Sequence, residues 1–420
     1  MPREIVVTGM GALSGNGLSV SHIWENLIHG EAALMDINPR YHFDIARFEK
    51  SCRTRKEGSI HSVCGVKLTN EELASRFGVA KASLYDRHQL FAFAAGAQAI
   101  ADARLTLHTI SERFGCVAAT ASGGLGDLFD ASEELVQGKR PSPTAITRFL
   151  PGMLSGDLTR TYRLRGPNPT HTGVCAASAH ALINAADIIK CSRADVMLVV
   201  GSEASINPAG IASFCSTGVI SNKTQPYQNE RMGFHKGEGG AALILEEYEH
   251  ARKRGATIYA RIAGYGETND GDASSSITSP RIDGGMRSAQ LAITMAGVTA
   301  RDIGYVNTHG TGTELGDIAE LTGINGWAEA GYAPLVSSTK SYSGHLFGAA
   351  GAYEAILTIM MLRNQTFLPT HGLTHGNLDP KCDLPGIQHL YSIESRKIDH
   401  AVSNSFGFGG TNATIVFEKV

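Results

Sequence analysis

The chain has little that would tie it to an oxidising compartment, a membrane or a nucleic acid. Its seven cysteines, at 52, 64, 116, 175, 191, 215 and 382, are odd in number and contain no CxxC pair. That spacing speaks against a disulfide framework and against a zinc site, and favours a reduced compartment. Charge of one sign is lacking as well: 37 Lys+Arg against 40 Asp+Glu leave a formal net charge of −3, no electrostatic footprint for nucleic acid. No apolar stretch is long enough to span a bilayer. The opening "MPREIVVTGMGALSG" reads as charge followed by a strand, with no apolar core of signal-peptide length. A soluble, cytoplasmic protein without membrane insertion is the expectation. Proline is sparse at 14 residues, whereas glycine reaches 48 without a Gly-X-Y period. Abundant glycine in a globular chain means tight turns and close backbone approaches.

What is present alternates strand with helix. "EIVVTGMG" is a β-branched run ended by glycine, and "SVSHIWENLIHG" is a helix from a serine cap to Gly30. Residues 41–85 read as loops with short helices, and "LFAFAAGAQAIADARL" as a helix buried nearly all round. "FGCVAATASGG" and "DVMLVVGSEAS" read as strands, with the helix "AASAHALINAADIIKC" between them. "AALILEEYEHARKRG" closes this set and marks a boundary, giving halves 1–255 and 256–420. The second half brings "TIYARIAGYGE", helix "MRSAQLAITMAG", strands "IGYVNTHG" and "PLVSST", and helix "GAAGAYEAILTIMMLRN". It ends in "HAVSNSFGFGGTNATIVFEK", two strands around a glycine loop. Layered sheets covered by helices are expected, in a duplicated α/β architecture, although identity alone reveals no repeat.

Four stretches could carry chemistry. Cys175 in "HTGVCAASAHAL" stands where a helix begins, near the positive end of its dipole, which favours a thiolate. Taken alone, it is equally a small buried packing residue. His309 in "YVNTHGTGTELGD", and Lys340 with His345 in "SSTKSYSGHLFGAAG", follow buried strands in glycine-rich loops, where layered α/β folds place their sites. Histidine is the usual proton-handling side chain near neutral pH. "SFGFGG", residues 405–410, leaves backbone N–H groups free around Phe406 and Phe408, or is an ordinary hairpin loop.

Together these stretches resemble the β-ketoacyl-acyl carrier protein synthases, and within them the elongating synthase II branch of thiolase-fold condensing enzymes. The likeness runs nearly end to end, through "VVTGMGALSGNG", "TGVCAASAHAL", "RMGFHKGEGGAALILEEYEHARKRGA", "VNTHGTGTELGD", "STKSYSGHLFGAAGAYEA" and "SNSFGFGGTNA". Initiating synthases carry asparagine where His345 stands, and chain-length-factor relatives lack the cysteine. The resemblance implies duplicated mixed sheets in an α-β-α-β-α arrangement and a decarboxylative condensation on carrier-bound thioesters. It implies that Cys175 takes the acyl chain, with its own N–H and that of Phe408 as oxyanion hole. His309 and His345 would hold the malonyl carbonyl, and Lys340 would orient the site while paired with Glu354. Thr311 and Thr313 would meet the phosphopantetheine arm, and Ser122 and Phe214 would bind substrate. Phe408, supported by Phe406, would gate the site on Gly407, Gly409 and Gly410. Lys81, Arg87, Lys139 and Arg140 would dock an acidic acyl carrier protein, the chain would be a homodimer, and no metal or redox cofactor is needed.

The sequence also departs from that pattern. Relatives read "RPFD" or "RPWD" and then "RDGF", where this chain has "QPYQ" (225–228) and "RMGF" (231–234), so an ion-pair network must be rearranged. The joint loss of one Arg and two Asp reads as concerted replacement, because removing a whole network costs far less than removing one partner. Ser122 stands where a bulky aliphatic gate is common, and "HGTGT" followed by Glu314 is closer to polyketide ketosynthases. Both hint at a specialised pathway, the alternative to housekeeping fatty-acid elongation; a non-catalytic partner subunit is the reading furthest from the residues.

Overall fold

The computed structural model describes residues 3–106, 111–271 and 276–420. Among these, eleven strands form one mixed sheet. They are β1 (Ile5–Ser14), β2 (Phe114–Ala119), β3 (Thr170–His171), β4 (Val196–Glu203), β5 (Gly239–Glu247) and β6 (Ala260–Asn269), then β7 (Ile303–Asn307), β8 (Leu335–Ser337), β9 (Gln388–His389), β10 (His400–Gly407) and β11 (Thr411–Glu418). Their order is β9-β8-β7-β10-β11-β6-β1-β5-β4-β2-β3. From β1 outwards through β5, β4, β2 and β3 the pairings run antiparallel, antiparallel, parallel, parallel. From β6 outwards through β11, β10, β7 and β8 the same series recurs. The two sets join edge to edge through a short antiparallel pairing of Ile5 with Ile262, Val6 with Arg261 and Val7 with Ala260. The expected duplicated sheets are therefore continuous with each other.

Strand side chains alternate between two cores. On β4, Val196, Leu198 and Val200 face the core built with helix α1 (Arg87–Asp102). Met197 and Val199 face the central core, which holds helices α2 (Ala177–Lys190) and later α5 (Ala350–Asn364). A third core lies under α3 (Ile282–Ala296) and α4 (Glu314–Trp327), with Val306, Val336, Val402 and Val416 from the second strand set. Helices thus cover both outer faces and fill the middle, because strands that are apolar on both sides must be covered on both sides. Among the described residues no helix is long and apolar enough to cross a membrane.

The repeat hidden from identity is visible in the close approaches. Gly9 and Gly11 of β1 lie against the Ala99 and Ala95 carbonyls of α1, and Gly264 and Gly266 of β6 against those of Ala292 and Ser288 in α3. A register shift precedes each pair, between Val7 and Gly9 and between Ile262 and Gly264. A Cβ at any of these four positions would push a helix off its sheet. Gly11→Val is expected to lose about 1–3 kcal/mol, read as a lower urea midpoint with unchanged slope.

Candidate functional site

The central helices begin in matching turns. Val174 (φ +51°) leads into the turn Val174–Ala176 ahead of α2, and Phe347 (φ +45°) into Phe347–Ala349 ahead of α5. A β-branched residue in the left-handed region is strained by about 1–3 kcal/mol, and such strain collects at working sites. Val174 positions Cys175, which is 5% exposed and carries a free thiol. Burial pushes that thiol up to about 12, against the pull of Lys340 and Lys236, while Glu203 and Glu354 push with it. The resting sulfur is therefore a thiol, contrary to the thiolate expected from the helix start: desolvation of a buried anion outweighs the helix end.

The two histidines come from matching strand ends. After β7, the N–H groups of His309 and Gly310 both donate to the Glu320 carboxylate of α4, each at 2.8 Å. Asn404 on β10 donates to the same carboxylate at 3.1 Å. Upstream, the Tyr227 hydroxyl meets the Thr308 hydroxyl, which braces the loop from below. His345 follows β8 and the single turn Lys340–Ser343. The Phe347 N–H donates to His345 Nδ1 at 3.2 Å, so the ring proton sits on Nε2. That Nε2, and Nδ1 of His309, are buried without a hydrogen-bond partner among the described residues. The rings lie 5.3 Å apart at 82°. Burial, and then the Lys340 ammonium, hold both imidazoles well below the ordinary 6.5, so both are neutral at physiological pH. Lys340 is wholly buried and donates to Glu354 Oε1 at 2.5 Å.

A cavity of about 400 Å³ brings these groups together: Cys175, His309 and His345 share its wall with Phe214, Phe406 and Phe408. Thr311 and Thr313 also line it, their hydroxyls 3.0 Å apart. Phe408 stacks on Phe214 at 6.3 Å, and Phe214 meets Phe347 edge-on at 4.9 Å. At Gly407 a Cβ would stand 3.2 Å from the Gly173 carbonyl and 2.7 Å from Thr411 Oγ1, so only glycine lets this strand lie against the Cys175 turn. Gly409 and Gly410 adopt φ of +83° and +72° beyond it. Lys340 and Glu354 stand behind the wall, and Ser122 is not part of it. Ser122 donates instead to Glu203, a buried carboxylate that also accepts from the Ala121 N–H at 2.8 Å.

Of the expected docking residues, Lys81, Lys139 and Arg140 are exposed. Arg87 is not available, and this expectation is corrected. Its guanidinium grips Glu238 at 2.9 and 2.7 Å and donates to the Val66 and Leu68 carbonyls, leaving the side chain 11% exposed. Arg87 clamps a buried carboxylate that Arg87 and His42 together hold down at about 2. Arg87→Ala is expected to cost about 3–5 kcal/mol, because Glu238 is left without its strongest partner. The stabilisation from Glu238 is complete above its ordinary 4.5 and lost as pH falls towards about 2, so the wild-type advantage in urea unfolding shrinks on acidification.

At 225–228, where the sequence departs from the family pattern, neutral amides meet one another. Gln225 and Asn377 both donate to the Gln228 side-chain oxygen at 3.1 Å. Arg231 remains and is held by Asp379 at 2.8 Å and Asp317 at 3.3 Å. Sequence reasoning missed Glu320, Asn404, Glu203 and Lys236. Glu320 lies in the second turn of α4, the helix that follows the His309 loop directly, and an acidic residue at that place was the available signal.

Sheet order, central helices and the Cys–His–His cavity together define a thiolase-like ketosynthase. Residues 2–251 match the family described as "Beta-ketoacyl synthase, N-terminal domain", and residues 259–374 its "C-terminal domain". The chain belongs to the β-ketoacyl synthase family. It is 36% identical over 434 residues to a Vibrio cholerae protein named 3-oxoacyl-(acyl-carrier-protein) synthase 2, covering 100% of this chain and 99% of that one. A Staphylococcus aureus (strain COL) protein of the same name is 33% identical, with 99% and 98% covered. Among solved structures, a β-ketoacyl synthase from Burkholderia phymatum superposes with a TM-score of 0.88 at 30% identity, and the ishigamide ketosynthase/chain length factor with 0.88 at 28%, each covering both chains fully. The ketosynthase complex AntDE:AntF, described as a type II polyketide acyl-carrier protein with its ketosynthase, gives 0.82 at 28%, again with full coverage.

Proposed function

We propose that this protein condenses a Cys175-bound acyl chain with malonyl-acyl carrier protein, giving a 3-oxoacyl carrier protein two carbons longer, in fatty-acid biosynthesis. The observation that carries this reading is one cavity lined by a buried thiol and two neutral imidazoles, with His345 Nε2 and His309 Nδ1 free of hydrogen-bond partners among the described residues. In the first half-reaction the Cys175 sulfur attacks the acyl thioester, the carrier's C–S bond breaks, and the thiol proton ends on the carrier's sulfur. The Cys175 and Phe408 N–H groups receive the oxyanion, and Phe408 swings aside on its glycines. In the second, the malonyl arm lies along Thr311 and Thr313, with its carbonyl oxygen towards the histidines. His345 Nε2–H donates to that oxygen. The bond to the carboxylate then breaks, CO₂ leaves, and the electron pair stays as an enolate. The enolate carbon attacks the acyl carbonyl, the C–S bond to Cys175 breaks, and the sulfur recovers a proton from solvent. Decarboxylation supplies the carbanion, so neither metal nor redox cofactor enters the balance.

Phe214 would line the acyl side, while Ser122, off the cavity wall, would act on it only through its hold on Glu203. Exposed Lys81, Lys139 and Arg140 fit an acidic carrier protein, and a cytoplasmic homodimer is part of the proposal. The division into halves at residue 255 belongs to the same reading. The test is intact mass after mixing the protein with acyl carrier proteins loaded from short to long chains. An adduct across short, medium and long chains supports elongation in fatty-acid synthesis. An adduct confined to long or functionalised chains moves the reading to a specialised pathway, and no adduct with any chain overturns it. Light scattering of the purified chain tests the homodimer.

A further inference from the structure

One buried charge has no part in the reaction above. Lys236 is 1% exposed, and its Nζ donates to Ser205 Oγ at 2.7 Å. The ammonium also lies over the rings of Phe347 at 4.1 Å and Phe214 at 4.4 Å, two rings that meet each other edge-on. Among the described residues no ion pair reaches it. A buried ammonium without a carboxylate partner is costly, and a hydrogen bond with two ring faces offsets only part of that. The cage is built from the site itself. Phe347 stacks on His345 at 4.5 Å, Phe214 stacks on Phe408, and the Lys236 backbone forms a bridge with that of His345. Both rings pack in the same apolar cluster as Cys175.

We propose that Lys236 is a positioning residue for Cys175, a caged second cation that stabilises negative charge on its sulfur as the thiol gives up its proton. The inference rests on the reading of Cys175 as the nucleophile. Six ionisable groups surround that sulfur. Lys340 and Lys236 favour the anion, Glu203 and Glu354 oppose it, and His309 and His345 are neutral. Lys340 is neutralised by its contact with Glu354, whereas Lys236 makes no such ion pair; the ionisable groups that face it are Glu203, which favours its charge from beyond contact distance, and the Cys175 and Cys215 thiols. Burial lowers Lys236 itself to about 8, so its charge fades just above neutral pH.

The test is alkylation of Cys175 by iodoacetamide in the intact protein, followed by peptide mass spectrometry from pH 6.5 to pH 10, for wild type and Lys236→Met. Lys236→Gln, which keeps a donor for Ser205 without the charge, serves as a second neutral variant should Met not fold. At pH 7 the wild-type thiol is expected to react about tenfold faster than either variant, equivalent to one unit of thiol acidity. The ratio is then expected to close towards unity by pH 10, as wild type loses its own cation. Equal rates at pH 7 would overturn the proposal. A ratio constant across the whole range would overturn it too, since altered packing slows the reaction without following the charge of Lys236. Alkylation needs neither carrier nor acyl chain, so this result stands apart from the acyl-adduct test of the proposed function.

Discussion

Cys175→Ala is expected to abolish the acyl adduct while leaving malonyl decarboxylation in place. Removing a nucleophile from a covalent mechanism costs on the order of 10⁴-fold or more in rate, so no adduct should be seen by intact mass on the timescale of wild-type turnover. The fold should survive, because alanine suits the strained turn after Val174 and the deletion removes one buried sulfur. Its cost is held to about 1 kcal/mol. The informative part is the half-reaction that remains. His309 and His345 enter from the other strand set, on loops after β7 and β8, and Glu320, Asn404 and Phe347 hold them without help from the sulfur. Release of CO₂ from malonyl carrier protein should therefore continue without condensation. Loss of both activities would mean that the two halves of the cavity do not act separately, and the proposed division of labour would fail.

How much of this was legible in the sequence varied with the physics of each element. The strand-end residues were readable because glycines around His309, His345 and Phe408 interrupt strong apolar runs. Buried strands such as β4 announce themselves in the same way. Helices Leu125–Val136 and Met153–Tyr162 went unassigned for a definite reason. The first carries Leu125, Leu128, Phe129, Leu135 and Val136 at helical spacing yet buries none of them fully, and the second buries Ser155, Asp157 and Thr159 beside its leucines, which interrupts its apolar stripe. The duplication was expected from the alternation of elements, but no repeat showed by identity because the match lies in backbone geometry. The Val174–Cys175 and Phe347–Gly348 turns match in conformation, as do the Gly9/Gly11 and Gly264/Gly266 contacts, while their side chains have diverged. Charged residues misled most. A sequence displays charge but not burial, so Arg87 read as a surface handle and Lys236 went unnoticed, although one clamps Glu238 and the other is buried against two phenyl rings.

His345→Ala is expected to reverse the outcome for Cys175→Ala: the acyl adduct still forms, and decarboxylation falls by about 10²–10³-fold, the usual result of losing one oxyanion donor. The donor can be assigned because Phe347 N–H occupies Nδ1, which leaves Nε2–H as the only hydrogen the ring can offer. Its charge state predicts the pH dependence. A histidine with the ordinary 6.5 would be about three-quarters protonated at pH 6, and a step requiring its neutral form would slow about fourfold between pH 8 and pH 6. Here burial and Lys340 hold both rings well below 6.5, so the neutral donors persist and CO₂ release in Cys175→Ala should be level across that range. Following CO₂ release in this variant separates the histidines from the thiol, whose own ionisation would otherwise impose a rise with pH. A fall on acidification centred near 6.5 would show that one of the rings titrates in the open site, and that burial beside Lys340 does not keep the pair neutral.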